Sequence, residues 1–155
     1  MSGERFTLDT NILIYSTDTA AGSKFQIAAA IVDRAPTCDC RIALQAISEF
    51  YAAATRKGKL GRTEAAAQAA DWLIMFPTVV ATPDAIRAAL QTAADGRAAY
   101  WDALLVATAA EAGCTAILTE DMADGTTLLG VRIVNPFDGG ALSQPAEALL
   151  RDVRR

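Results

Sequence analysis

The chain has 155 residues, 52% of them hydrophobic, enough apolar material for one sizeable core, and residues 1–155 are read as a single domain. Histidine is absent, which removes the commonest general base and transition-metal ligand and excludes serine–histidine triads, HExxH zinc proteases and histidine-based ribonucleases. A formal charge of −4 argues against holding nucleic acid on a broad basic surface, so any RNA contact has to be local or carried by a metal.

Residues 5–9 form a short β-prone run ending in Asp9-Thr10-Asn11, and Ile12-Leu13-Ile14-Tyr15 continues apolar, a pattern of strand, turn and helix. Ser23 is placed to cap a helix over 24–34, where Ile27, Ala28 and Ile31 share a face and Pro36 ends the run. A second strand over 41–45 leads into a helix over 46–56 with Ile47, Phe50, Tyr51 and Ala54 as its buried stripe and Glu49 beside that stripe. Thr63 and Glu64 open an alanine-rich helix that Pro77 stops, and 78–81 reads as a third strand.

Thr82-Pro83-Asp84 then supplies an N-cap, an N1 proline and an acidic first turn for a helix over 83–94. After Asp95-Gly96 a helix over 98–112 carries Asp102 near its start and ends near Gly113. Residues 115–119 and 131–134 read as two more strands. The chain closes in a loop and a final amphipathic helix over 139–155, with Ser143 near its start and Arg151, Arg154 and Arg155 near its end. Strands alternating with helices imply an α/β/α sandwich around a mainly parallel sheet of about five strands.

Asp9 and Asp121 each follow a predicted strand directly, where open parallel sheets gather functional groups, and Glu49 and Asp102 lie in the opening turns of neighbouring helices. Each acid alone reads equally well as a turn, cap or dipole-complementing residue. Together they demand a counter-charge, because two like charges about 4 Å apart repel by roughly 4 kcal/mol at an effective dielectric near 20. Without histidine the natural counter-charge is a hard cation, Mg²⁺ or Mn²⁺, which points to phosphodiester hydrolysis.

Several neighbours have competing readings. Thr10, Asn11 and Thr119 either orient the acids or cap helices, with capping favoured for Asn11. Glu120 and Asp124 crowd the loop of Asp121. Arg56, Lys57, Lys59 and Arg62 form a basic loop that is either an RNA-phosphate contact or a solvated turn. Trp72, Phe76, Tyr100 and Trp101 are assigned to core packing.

Leu8-Asp9-Thr10-Asn11-Ile12-Leu13, Ile47-Ser48-Glu49-Phe50, Tyr100-Trp101-Asp102-Ala103-Leu104-Leu105 and the segment from Leu118 through Glu120, Asp121 and Asp124 to Gly125 resemble, in that order, the PIN-domain family and its VapC-type toxins. The resemblance implies an acidic quartet of Asp9, Glu49, Asp102 and Asp121, with the fourth place shared in pattern by Glu120 and Asp124. It further implies Mg²⁺ or Mn²⁺, a tRNA or rRNA substrate, a cognate antitoxin and a homodimer. A solitary RNA-processing nuclease and a non-catalytic binding module of the same fold are the alternatives.

Other classes lack their marks. The lysines, Lys24, Lys57 and Lys59, are all early, where a receiver domain needs a late one, and neither GxGxxG nor a P-loop occurs. Cys38, Cys40 and Cys114 contain no CxxC pair, so no disulfide framework or structural zinc site is expected. Apolar runs such as 103–110 are too short to cross a bilayer and the N-terminus opens no signal peptide, so a cytoplasmic protein is expected.

Overall fold

The computed structural model describes residues 3–56 and 58–151. Its first half runs β1 (Phe6–Leu8), α1 (Thr10–Tyr15), α2 (Ser23–Arg34), β2 (Ile42–Ala43), α3 (Leu44–Arg56), α4 (Arg62–Met75) and β3 (Thr78–Val79). The second half runs α5 (Pro83–Ala94), α6 (Tyr100–Glu111), β4 (Ala116–Leu118), β5 (Thr127–Leu128), β6 (Val131–Val134), β7 (Phe137–Asp138), β8 (Ala141–Leu142) and α7 (Gln144–Leu149).

The central sheet has the order β1-β4-β6-β5, with β1, β4 and β6 parallel and β5 antiparallel at the edge. Every residue of β1 and β4 is buried, as expected of inner parallel strands covered on both faces. β2 pairs in parallel with β3, and the chain just before it joins β1 through a parallel bridge between Phe6 and Cys40. There the Phe6 N–H donates to the Asp39 carbonyl at 3.1 Å and the Arg41 N–H donates to the Phe6 carbonyl at 3.0 Å. All five expected strands are therefore present and run parallel, β5 is an unexpected addition, and β7 and β8 form a separate hairpin.

The helices pack as two groups, α1 to α4 on one another and α5 on α6. Phe50 of α3 meets Trp72 of α4 edge to face with ring centroids 4.6 Å apart, which locks that pair of helices. α6 is apolar around its circumference and its residues Ala103 to Ala109 are all buried. Thr82 caps α5 as expected, its hydroxyl accepting from the Ala85 N–H at 3.1 Å.

Four expectations are corrected. Ser23 is not the cap of α2 but its first residue, because Gly22 takes the cap position at φ 65°, a backbone conformation suited to glycine. Tyr51 leaves the buried stripe of α3: Ala46, Ile47, Phe50 and Ala54 fill it, and the next position round the helix comes to the rim. Trp101 is 63% exposed, since α6 enters the core only from Ala103. The last helix spans Gln144–Leu149 with Ser143 as its cap, so Arg151 lies beyond it; Lys57, Arg154 and Arg155 fall outside the described residues. Among the described residues no helix is long and apolar enough to cross a membrane.

Candidate active site

Asp9 follows β1 without a break. Its N–H donates to the Leu118 carbonyl on β4 at 3.0 Å, fixing it at the carboxyl edge of the sheet, and its side chain caps α1 by accepting from the Thr10 N–H at 2.6 Å. Thr119, leaving β4, donates its hydroxyl to the other Asp9 oxygen at 2.7 Å. Parallel pairing of β1 with β4 puts these two strand ends side by side, the topological reason an acid at position 9 meets residues more than a hundred positions later.

The other acids arrive on separate elements. Glu49 projects from α3, accepting from the Thr10 hydroxyl at 3.1 Å and from Gln45 Nε2 at 2.9 Å. Asp102 sits in the first turn of α6, where its negative charge complements the helix dipole. Asp121 lies in the loop after β4, its N–H donating to the Thr119 hydroxyl at 3.1 Å and its carboxylate accepting from Asn11 Nδ2 at 2.9 Å. All four line one cavity of about 470 Å³.

The competition for the fourth place resolves by contacts. Glu120 also borders the cavity, but its carboxylate is taken by Lys24 Nζ at 2.7 Å and by the Tyr15 hydroxyl. Burial opposes its ionisation, yet the hydrogen bonds from Lys24 and Tyr15 outweigh it and hold the carboxyl below its usual range. Asp124 turns away and accepts from the Asn135 N–H at 2.8 Å. Asp121 alone of the three joins the hydrogen-bond network of Asp9.

Burial dominates the electrostatics. Asp9 is 5% exposed and its pKa is raised to about 6; desolvation drives the rise, the Thr119 and Thr10 hydrogen bonds oppose it, and the charges of Asp102 and Asp121 add to it. Asp102 is also raised, first by burial and then by Asp121 and Glu49. The four acids thus repel one another through the cavity, and among the described residues no three stand close enough together to form a ready-made metal-binding group. The donor set nevertheless suits a hard cation. It is all oxygen, and the buried amide oxygens of Asn11 and Gln45 beside the acids have no hydrogen-bond partner among the described residues.

Asn11 is the clearest departure from the sequence reading. It does not cap α1; its amide spans Thr119 at 3.3 Å and Asp121 at 2.9 Å and lies 3.4 Å from Asp9. Gln45 was not singled out by the sequence, although its i, i+4 spacing to Glu49 on one helix was a signal; it also donates to the Trp101 carbonyl at 3.1 Å, tying α3 to the start of α6. Of the basic loop, Arg56 and Lys59 border the cavity, with Lys59 paired to Asp18 at 2.6 Å.

The PIN domain family model matches residues 6–123, a span that takes in all four acids. No curated protein matches the sequence. Among solved structures, the VapC20 toxin of Mycobacterium tuberculosis, which cleaves the sarcin-ricin loop, is similar with a TM-score of 0.62 at 18% identity, over 75% of this chain and 89% of that one. A toxin–antitoxin complex from Klebsiella pneumoniae is similar at 0.59 and 23% identity, over 85% of this chain and 98% of that one. VapBC2 of Rickettsia felis, bound to a DNA fragment from their promoter, is similar at 0.60 and 11% identity, over 86% and 99%. At these identities the likeness is one of fold. The strand-end acids, the parallel sheet that assembles them and the family match over most of the chain agree, and the chain belongs to the PIN domain family.

Proposed function

We propose that this protein is a metal-dependent endoribonuclease and the toxin of a toxin–antitoxin pair, cutting tRNA or rRNA by hydrolysis. The observation that carries the reading is the gathering of four carboxylates from four separate elements around one cavity, with Asp9 buried at the centre of their hydrogen-bond network. A buried carboxylate is costly without a counter-charge, and hydrogen bonds from Thr10 and Thr119 compensate Asp9 only in part.

Asp9 and Asp102 would hold Mg²⁺ or Mn²⁺, with Glu49 and Asp121 completing the set. Such a cation, when bound, supplies Lewis-acid activation of water and charge neutralisation at the phosphodiester. The chain's own contribution is alignment. Thr10 and Gln45 hold Glu49, Thr119 and the α1 N-terminus hold Asp9, and Asn11 couples Asp9 to Asp121, so these three acids are oriented before substrate arrives. The likeness in fold to toxins and toxin–antitoxin complexes supports an antitoxin partner. Large apolar side chains exposed from Leu73 to Leu90 support a homodimer.

The purified protein is expected to cut RNA with Mg²⁺ and to stop in a chelator. Its expression is expected to arrest growth until a small protein encoded beside it is co-expressed. RNA binding without any cutting, unchanged by Asp9→Asn, would instead leave a non-catalytic binding module.

A further inference from the structure

Two cavities reach the acids. The first, about 470 Å³, extends from Asp9 and Glu49 past Ala52 and Ala53 to Arg56. The second, about 530 Å³, shares Asp102 and Asp121 with the first and is bounded by Arg97, Met122, Leu128 and Ile133. Asp102 and Asp121 line both, so the acids stand at the divide. Each volume lies within the roughly 300–1,000 Å³ that suits a drug-sized ligand, and a nucleotide is of that size.

Each cavity wall carries one arginine that makes no ion pair among the described residues. Among the described residues Arg56, Arg62, Arg97 and Arg151 make no ion pair, whereas the others, including Lys59 on the first cavity wall, are each paired to a carboxylate. Two of those four border the cavities, Arg56 the first and Arg97 the second, and the cavities meet at the shared acids.

We infer that a single RNA strand crosses the site from one cavity into the other, with a backbone phosphate on Arg56 to one side of the bond being cut and another on Arg97 to the other side. The inference rests on the ribonuclease reading and adds to it the path of the substrate. A polyanion approaching an acid cluster needs compensating charge where its own phosphates lie, and an internal cut leaves phosphates on both flanks. Arginine suits this task, since its planar fork meets phosphate oxygens in pairs. The apolar wall of Met122, Leu128 and Ile133 gives an unpaired base a surface to pack on, which favours a single strand over a duplex.

The test uses Arg56→Ala, Arg97→Ala, the double variant and Arg87→Ala, a control in α5 whose arginine is paired with Asp84 and borders neither cavity. Affinity for a labelled single-stranded RNA of about twelve nucleotides is read by anisotropy in an Asp102→Asn background. KM for cleavage is read with Asp102 intact. Each single variant is expected to weaken binding about five- to tenfold and to raise KM alike, with kcat little changed. The slope of log affinity against log salt should fall by about 0.7 per arginine and about 1.4 for the pair. Lysine at either position should restore part of the loss, and Arg87→Ala should change nothing.

If Arg97→Ala binds like wild type while Arg56→Ala does not, the strand does not enter the second cavity and the inference fails. If RNA is cut but neither arginine affects KM or the salt slope, the crossing path is wrong while the nuclease reading stands; loss of binding to a partner protein alone would assign the arginines to that partner. If wild type neither binds nor cuts RNA, the underlying reading itself falls.

Discussion

At Asp9 burial and hydrogen bonding pull in opposite directions, and burial wins, leaving the folded pKa at about 6 against 3.8 for the free side chain. The folded protein therefore holds more proton than the unfolded chain between those values, so without metal the Asp9 contribution to stability is lost as pH rises through that window. The full effect is about 3 kcal/mol. Asp9→Asn is accordingly expected to be the more stable protein near neutral pH in a chelator, the gap closing below about pH 4; urea titrations across that range check it, and a wild type that is more stable at neutral pH contradicts it. Thr119→Val removes the strongest opposing hydrogen bond and is expected to push the Asp9 pKa further up, moving the acid limb of any pH–activity profile to higher pH. That Asp9, Glu49, Asp102 and Asp121 come to one cavity was legible in the sequence because strand ends and helix starts are marked by local pattern. Asn11 was not, since its partners Thr119 and Asp121 come from the far end of the chain and a local reading sees only a capping residue after a strand.

Among the elements, α3 and α4 are held chiefly through Phe50 against Trp72, which is 2% exposed. Trp72→Ala is expected to cost about 3–5 kcal/mol in urea unfolding, while Trp101→Ala, on an exposed position, is expected to stay within about 0.5 kcal/mol; equal costs would mean the two tryptophans are packed alike. The five parallel strands were legible because each lies in a short β-prone run set apart from the helical patterns, and Thr82-Pro83-Asp84 announced α5 through cap chemistry alone. β5, β7 and β8 were not, being antiparallel arms that turns at Gly130 and at Gly139-Gly140 fold onto their partners, outside any longer apolar run. The exposure of Trp101 escaped for a related reason: a helix apolar on every side, as α6 is from Ala103 to Ala109, has no polar face to show where burial begins.

For the whole molecule, six of the nine large apolar side chains exposed among the described residues fall between Leu73 and Leu90, with Ile74 at 85%, Val80 at 67% and Leu90 at 54%. Exposed apolar side chains in this number are what the homodimer proposed above would cover. Ile74→Asp is expected to shift a dimer toward monomer in sedimentation while leaving the mutated protein folded, and an unchanged mass would move the interface elsewhere. The acids come from other elements than that stretch of chain, and the function proposed above is local to them: Asp9, Glu49, Asp102 and Asp121 would together hold a cation for RNA cleavage. The most direct test is cleavage of RNA by purified wild type and Asp102→Asn, each with Mg²⁺ and with a chelator, alongside circular dichroism of both. Wild type is expected to cut with Mg²⁺ only, and the variant not at all at unchanged fold. Undiminished cleavage by Asp102→Asn, or by wild type in the chelator, contradicts the proposed function.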